Sequence, residues 1–166
     1  MRRGKFYLLV RWLLVAACML LLTGCGADAD RAHEDVQMSS TDAEDAVVSS
    51  TRVLVQVNGQ TFTAVLADTA AAEALAERLA EGPLVLNLSD YGGFEKVGSL
   101  GMQLPTDDAQ TQAGPGDMML YQGDQIVFFY GTNSWRYTAL GQIDDLDGWA
   151  EALGDGDLSL TMQLAE

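Results

Sequence analysis

Two short clusters of aromatic and polar residues in the second half of the chain have the composition of a ligand-binding cleft. The first cluster comprises Tyr91, Phe94, Glu95 and Lys96, and the second comprises Tyr130, Asn133, Ser134, Trp135 and Arg136. Ligand clefts combine apolar walls with a few polar groups that fix the ligand's orientation. The clusters therefore predict a shallow aromatic cleft for a peptide or a small molecule.

A purely structural interpretation of the same residues stays open. Tyrosine and tryptophan at strand ends can plug the mouth of a β-barrel, and Asn133-Ser134 can simply form a turn. Glu95 and Lys96 can be a surface ion pair that contributes little to stability.

The chain offers few groups for covalent or metal chemistry. Neither cysteine (Cys18, Cys25) nor the single histidine (His33) lies beyond residue 50, which excludes catalytic Ser-His-Asp or Cys-His sites and histidine- or cysteine-ligated zinc from that region. Adjacent carboxylates such as Asp107-Asp108 are expected by chance in so acidic a chain. We expect no catalytic residue, no metal site and no cofactor.

The first 24 residues have the pattern of a secretory leader. A basic start is followed by an apolar run, Trp12 to Leu22, that is shorter than the roughly 20 residues needed to cross a bilayer. Leu22-Thr23-Gly24-Cys25 resembles the bacterial lipobox. The resemblance implies a lipoprotein signal peptide over residues 1–24, removed before Cys25, and acyl chains such as palmitate on Cys25.

The charge distribution agrees with a lipid anchor rather than an electrostatic one. Four of the nine basic residues precede Cys25, whereas none of the 24 acidic residues does, so the chain from Cys25 onward carries a net charge of about −19. Such a surface repels nucleic acids and anionic lipid head groups. We expect no nucleic-acid partner, and membrane attachment on the extracytoplasmic side through the lipid on Cys25.

Residues 25–50 lack apolar periodicity and are rich in acidic and small residues, which predicts a flexible tether, with a short helix around Asp42 to Val48 as the alternative. A folded domain is predicted for residues 51–166. It opens with two alternating apolar runs separated by Asn58-Gly59, the strongest short-range signal for a β-hairpin. Asp68 is expected to cap a helix whose apolar stripe runs from Ala72 to Leu79, and Gly82-Pro83 ends that helix.

The rest of the domain alternates between short strands and turns. Strands are predicted at Leu84–Leu88, Met118–Tyr121, Gln125–Tyr130, Trp135–Ile143 and Leu158–Met162, with a loop-rich section from Ser89 to Gly116 and a helix from Asp144 to Leu153. Short strands with frequent turns favour a mainly β fold, a closed β-barrel of about eight strands with two helices covering its ends.

This order of elements resembles that of cyclophilins. The similar segments are the valine-rich hairpin and following helix, Gly114-Pro115-Gly116-Asp117-Met118-Met119 and Val127-Phe128-Phe129-Tyr130. The chain resembles small bacterial cyclophilin-like proteins of unsettled function more closely, through Tyr91 to Gly98, Leu104-Pro105, Gly116 to Gly123 and Phe129 to Trp135. The resemblance implies an eight-stranded barrel with two helices over about residues 51–165.

The resemblance does not extend to the catalytic strings of true cyclophilins. Those enzymes place an arginine in a Phe-His-Arg string, beside a Gln-Gly-Gly-Asp string, whereas residues 95–108 here contain neither and have Lys96 as their only cation. Lysine does not replace a planar guanidinium fork. We therefore expect a lipid-anchored binding module, with a divergent prolyl isomerase acting on exported proteins as the alternative. A structural partner of another envelope protein is a third possibility.

Overall fold

The computed structural model describes residues 50–166. The predicted signal peptide, Cys25 and all but the last residue of the predicted tether lie outside the described residues. None of the helices in the described part is long and apolar enough to cross a membrane.

The described chain forms nine strands and two helices. The strands are β1 (Arg52–Val57), β2 (Gln60–Leu66), β3 (Leu84–Tyr91), β4 (Glu95–Ser99), β5 (Ala109–Ala113), β6 (Asp117–Tyr121), β7 (Gln125–Phe129), β8 (Asn133–Ile143) and β9 (Leu158–Leu164). The helices are α1 (Ala70–Ala80) and α2 (Trp149–Leu153). The mainly β fold with two helices that the sequence predicts is confirmed.

The strands form one antiparallel sheet that closes into a ring. Their order is β2-β1-β9-β3-β4-β7-β6-β8-β5, and β2 also pairs with β8. The ring therefore contains eight strands, and β5 lies outside it, paired with the first half of β8. The second half of β8 pairs with β6, and the register of this pairing shifts by one residue between Met118 and Met119.

The first hairpin has the geometry predicted from Asn58-Gly59. Both residues have positive φ, 48° and 80°, as a type I′ turn requires. The Asn58 amide donates to the Ala152 carbonyl at 2.8 Å, which ties this turn to α2. The predicted cap at Asp68 is wrong by one residue, because Thr69 is the N-cap and its hydroxyl accepts from the Ala72 N–H at 3.1 Å.

Two further predictions need correction. The section from Ser89 to Gly116, predicted as loop-rich, contains β4 and β5. The predicted helix from Asp144 to Leu153 is confined to α2, and Leu146 is 44% exposed rather than part of a buried stripe. The predicted stop at Gly154 is correct, since this glycine is the C-cap of α2.

Strand alternation divides the buried side chains into two clusters on opposite faces of the sheet. In β7, Ile126 and Phe128 belong to the larger cluster, which includes residues of both helices and most strands of the ring. Val127 and Phe129 belong to a smaller cluster with Met119 and residues of β5 and β8. Successive strand residues point to opposite faces, so the smaller cluster lies on the face of β4, β7 and β6 that the larger core does not use.

Candidate functional site

A cavity of about 460 Å³ opens on the same face as the smaller cluster. Its lining residues belong to five strands (β3, β4, β6, β7 and β8) and to the turn between β6 and β7. They are Tyr91, Glu95, Val97, Tyr121, Gln122, Gln125, Val127, Asn133, Trp135 and Tyr137. Its volume falls within the range typical of small-molecule sites.

The pairing of β4 with β7 builds one wall of the cavity. Glu95 lies opposite Phe129, and Val97 lies opposite Val127, so these side chains share one face. The first half of β8 supplies another wall, because Asn133, Trp135 and Tyr137 are two residues apart and therefore point the same way. The strand pleat thus selects every second residue of the sequence clusters for the cavity.

A polar group of three residues lies at the buried end of the cavity. Glu95 is 5% exposed and Tyr137 is 4% exposed. The Asn133 amide donates to the Tyr137 hydroxyl at 3.1 Å, and that hydroxyl donates to the Glu95 carboxylate at 3.4 Å. A carboxylate offers about four acceptor positions, so contacts with Tyr137 and Asn133 leave capacity for a further donor.

Burial controls the protonation of both acidic groups. Desolvation raises the pKa of the Glu95 carboxyl, and the hydrogen bonds from Tyr137 and Asn133 only partly oppose this rise. Burial, followed by the nearby charge of Glu95, raises the pKa of Tyr137 to about 12. Tyr137 therefore remains a protonated donor beside Glu95 at physiological pH.

Exposed aromatic side chains form the rim. Tyr91 is 63% exposed and Trp135 is 56% exposed. The ring of Phe94 packs edge-on against Tyr91, with centroids 6.1 Å apart, and does not itself line the cavity. The Phe94 carbonyl accepts from the N–H groups of Tyr130 and Gly131 at 3.0 and 2.9 Å, which brings the two sequence clusters together.

Gly131 allows this close approach. A Cβ at this position would lie 2.7 Å from the Cβ of Phe94, so a larger residue would push the turn that carries Phe94 away from the start of β8.

Lys96 and Tyr130, both predicted to bind ligand, lie together but away from the cavity. Lys96 faces the larger core opposite Phe128 and is 0% exposed. Its ammonium donates to Asp90 at 2.7 Å and to the Gly156 carbonyl at 2.8 Å, and it lies 5.4 Å from the centroid of the Tyr130 ring. The surface ion pair between Glu95 and Lys96, which the structural interpretation allowed, is therefore wrong, because the two side chains are buried on opposite faces.

Asp90 is the acceptor shared by this second group. The hydrogen bond from Lys96, followed by that from Tyr130, lowers the pKa of the Asp90 carboxyl. Desolvation, followed by the bond to Asp90, raises the pKa of Tyr130 to about 12. Lys96 connects β4 to Asp90 on β3 and to Gly156 in the turn before β9. The positive charge of Lys96 is balanced by the negative charge of Asp90.

Arg136 and Ser134 are also separated from the cavity. They alternate with Asn133, Trp135 and Tyr137 along β8 and are not among the cavity residues. The Arg136 guanidinium donates to the Asp108 carbonyl at 2.6 Å, at the edge where β5 pairs with β8.

Sequence reasoning missed several cavity residues, notably Tyr121, Gln122, Gln125 and Tyr137. Tyr137 could have been found, because it lies two residues from Trp135 on a predicted strand and so shares its face. Tyr121, Gln122 and Gln125 belong to the β6–β7 hairpin, whose position beside β4 requires knowledge of the strand order.

The arrangement is chemically suited to binding. It combines four aromatic rings, one buried carboxylate and neutral amide or phenol groups. No group of three or more potential metal ligands occurs among residues 50–166. Glu95 can accept hydrogen bonds from a ligand or balance a positive charge.

Comparison with known proteins places the fold. The family model described as the cyclophilin-like family matches residues 55–163. The chain belongs to the cyclophilin-like family. The match includes β2 to β8, both helices and most of β1 and β9 by their residue ranges, so all the cavity residues lie within it.

A solved structure of low sequence similarity has the same general fold. It is the solution structure of a hypothetical protein from Archaeoglobus fulgidus, with a TM-score of 0.55 and 14% identity. The similarity covers 70% of this chain and 95% of the archaeal chain. No curated protein matches the sequence.

Proposed function

We propose that this protein is a lipid-anchored binding module that takes a peptide or small ligand into the cavity beside β4, β7 and β8. The carrying observation is the cavity itself, which has solvent-exposed aromatic side chains at its rim and a buried carboxylate at its end. Burying an ionisable group without a charged partner costs stability, so a functional role accounts for Glu95 better than a packing role does. We further propose that the ring is a closed barrel whose openings α1 and α2 cover.

The anchor places this cavity outside the cytoplasm. In the proposal, acyl chains on Cys25 hold the mature protein at the membrane, and residues 25–50 tether the domain of residues 51–166. The strongly acidic chain would not bind the membrane by charge, which leaves the lipid as the source of attachment.

The binding proposal is tested with the full-length protein in detergent micelles. Ligand-detected NMR would use a fixed panel of neutral, cationic and anionic molecules, including indole, phenol, choline and acetate. We expect saturation transfer to at least one member and its loss in Trp135→Ala. Val85→Ala is the matched control, since Val85 is an apolar side chain that is 63% exposed and does not line the cavity.

Two outcomes would contradict the proposal. The first is the absence of any binding across the panel, and the second is binding that Trp135→Ala leaves unchanged. A proline-switch assay addresses the alternative of prolyl isomerisation. Because Arg136 is engaged by Asp108 outside the cavity, we expect no acceleration, whereas a rate enhancement abolished by Arg136→Ala would favour the enzyme.

A further inference from the structure

The carboxylate of Glu95 in the cavity has no cationic partner among residues 50–166. Glu95 interacts with two neutral groups, Tyr137 and Asn133, and takes part in no ion pair within the described residues. No lysine or arginine lines the cavity in the part of the chain that the structure describes.

The basic residues of the described region are all engaged elsewhere. Lys96 contacts Asp90 and Gly156, and Arg136 contacts Asp108. The other two, Arg52 and Arg78, contact Asp144 and the Gly82 carbonyl. No basic side chain among residues 50–166 supplies a positive charge beside Glu95, which leaves that role open to a ligand.

The walls favour a particular kind of cation. Four rings line the cavity, from Tyr91, Tyr121, Trp135 and Tyr137, and the faces of such rings attract cations, with tryptophan the most effective. Tyr121 and Tyr137 pack edge to face with centroids 6.1 Å apart. Val97 and Val127 add apolar surface, and Glu95 is the one anionic side chain among the cavity residues.

We propose that the ligand is a small organic cation bearing an alkylated ammonium group, held between the aromatic rings with its charge toward Glu95. This inference rests on the proposed binding function and specifies its ligand class. An alkylated ammonium loses less hydration on burial than a metal ion or a primary ammonium, and it matches apolar walls with a single carboxylate. The chain from Cys25 onward, with a net charge of about −19, would also raise the local concentration of cations.

The test compares two probes of the same shape by isothermal titration calorimetry with the full-length protein in nonionic detergent at low salt. Choline carries the quaternary ammonium, and 3,3-dimethylbutan-1-ol replaces the nitrogen with carbon and is neutral. We expect choline to bind at least tenfold more tightly. Glu95→Gln should remove that preference, whereas Glu77→Gln, which removes an exposed carboxylate on α1, should preserve it.

A second variant keeps the test valid if Glu95→Gln fails to fold. Trp135→Leu removes a rim ring but keeps an apolar side chain, so choline binding should weaken several-fold while binding of the neutral alcohol stays nearly constant. Equal affinity for the two probes would overturn the inference, as would choline binding that neither variant affects.

The calorimetry and the NMR panel together distinguish a failure of this inference from a failure of the proposed function. If neither probe binds but neutral or anionic panel members bind in a Trp135-dependent way, the cavity is a binding site and the cation assignment is wrong. If nothing in the panel binds, both are wrong.

Discussion

Trp135 and Trp149 offer a direct comparison between a cavity residue and a core residue. Trp149 is 1% exposed, packs against Phe62 with centroids 5.0 Å apart, and donates its indole N–H to the Phe129 carbonyl at 2.9 Å. Trp135 is 56% exposed at the cavity rim. If Trp135 serves ligand binding, its replacement by alanine must cost far less stability than the same change at Trp149.

The expected magnitudes follow from the buried areas. Replacing a buried tryptophan by alanine costs about 3–5 kcal/mol. A fully buried aromatic side chain covers roughly 150–250 Å². Trp135 is 56% exposed, so roughly 65–110 Å² of it is covered, and at about 25 cal/mol per Å² its truncation costs less than about 3 kcal/mol.

Urea denaturation followed by circular dichroism would measure the difference. With an m-value of about 1.5 kcal/mol per M, Trp149→Ala should lower the midpoint by about 2–3 M, and Trp135→Ala by less than about 2 M. Val85→Ala provides an exposed apolar reference and should change the midpoint little. The reasoning is refuted if Trp135→Ala destabilises the protein as much as Trp149→Ala does, because Trp135 would then be a structural plug.

Three further changes test other parts of the structure. Burial raises the pKa of the Glu95 carboxyl, so the folded chain keeps this carboxyl protonated to a higher pH than the unfolded chain does. The free energy of unfolding therefore falls as the pH rises from the unfolded pKa of Glu95 through its folded pKa. Glu95→Gln should therefore be more stable than the parent in urea denaturation at neutral pH, an advantage that should vanish below the ordinary pKa of a glutamic acid; an advantage independent of pH would contradict this cause. Gly98→Ala would drive a methyl group into the Asn87 carbonyl oxygen and should cost about 1–3 kcal/mol by thermal unfolding, whereas Gly114→Ala, with nothing within 4 Å, should be well tolerated; equal melting temperatures would contradict the packing argument. Cys25→Ser should release the protein from membranes in cell fractionation, and unchanged retention would argue against the lipid anchor.

Local patterns were sufficient to predict most of the framework. The Asn58-Gly59 turn, the strand at Leu84–Leu88 and the stop at Gly154 depend on backbone preferences of neighbouring residues, which the sequence carries directly. The short strands β4 and β5 were not predicted, because Glu-Lys-Val-Gly-Ser and Ala-Gln-Thr-Gln-Ala lack strong alternation. Their pairing partners, rather than their own composition, make them strands.

The candidate site was harder to predict, because two-residue periodicity divides neighbours in sequence. Glu95 and Lys96 were grouped from their adjacency, yet the pleat sends Glu95 to the cavity and Lys96 to the opposite face. The same alternation separates Trp135 from Arg136. Tyr121 and Gln125 join the cavity only through the long-range order of β6, β7 and β4, which no local pattern specifies.

The burial of Lys96 makes its chemical reactivity a measure of how often the surrounding strands separate. Lys96 is the single lysine among the described residues, and its amine is 0% exposed. Amine-directed reagents therefore reach this nitrogen only when the strands around it separate. The rate of acylation at Lys96, followed by mass spectrometry, would then measure how often the ring opens under native conditions.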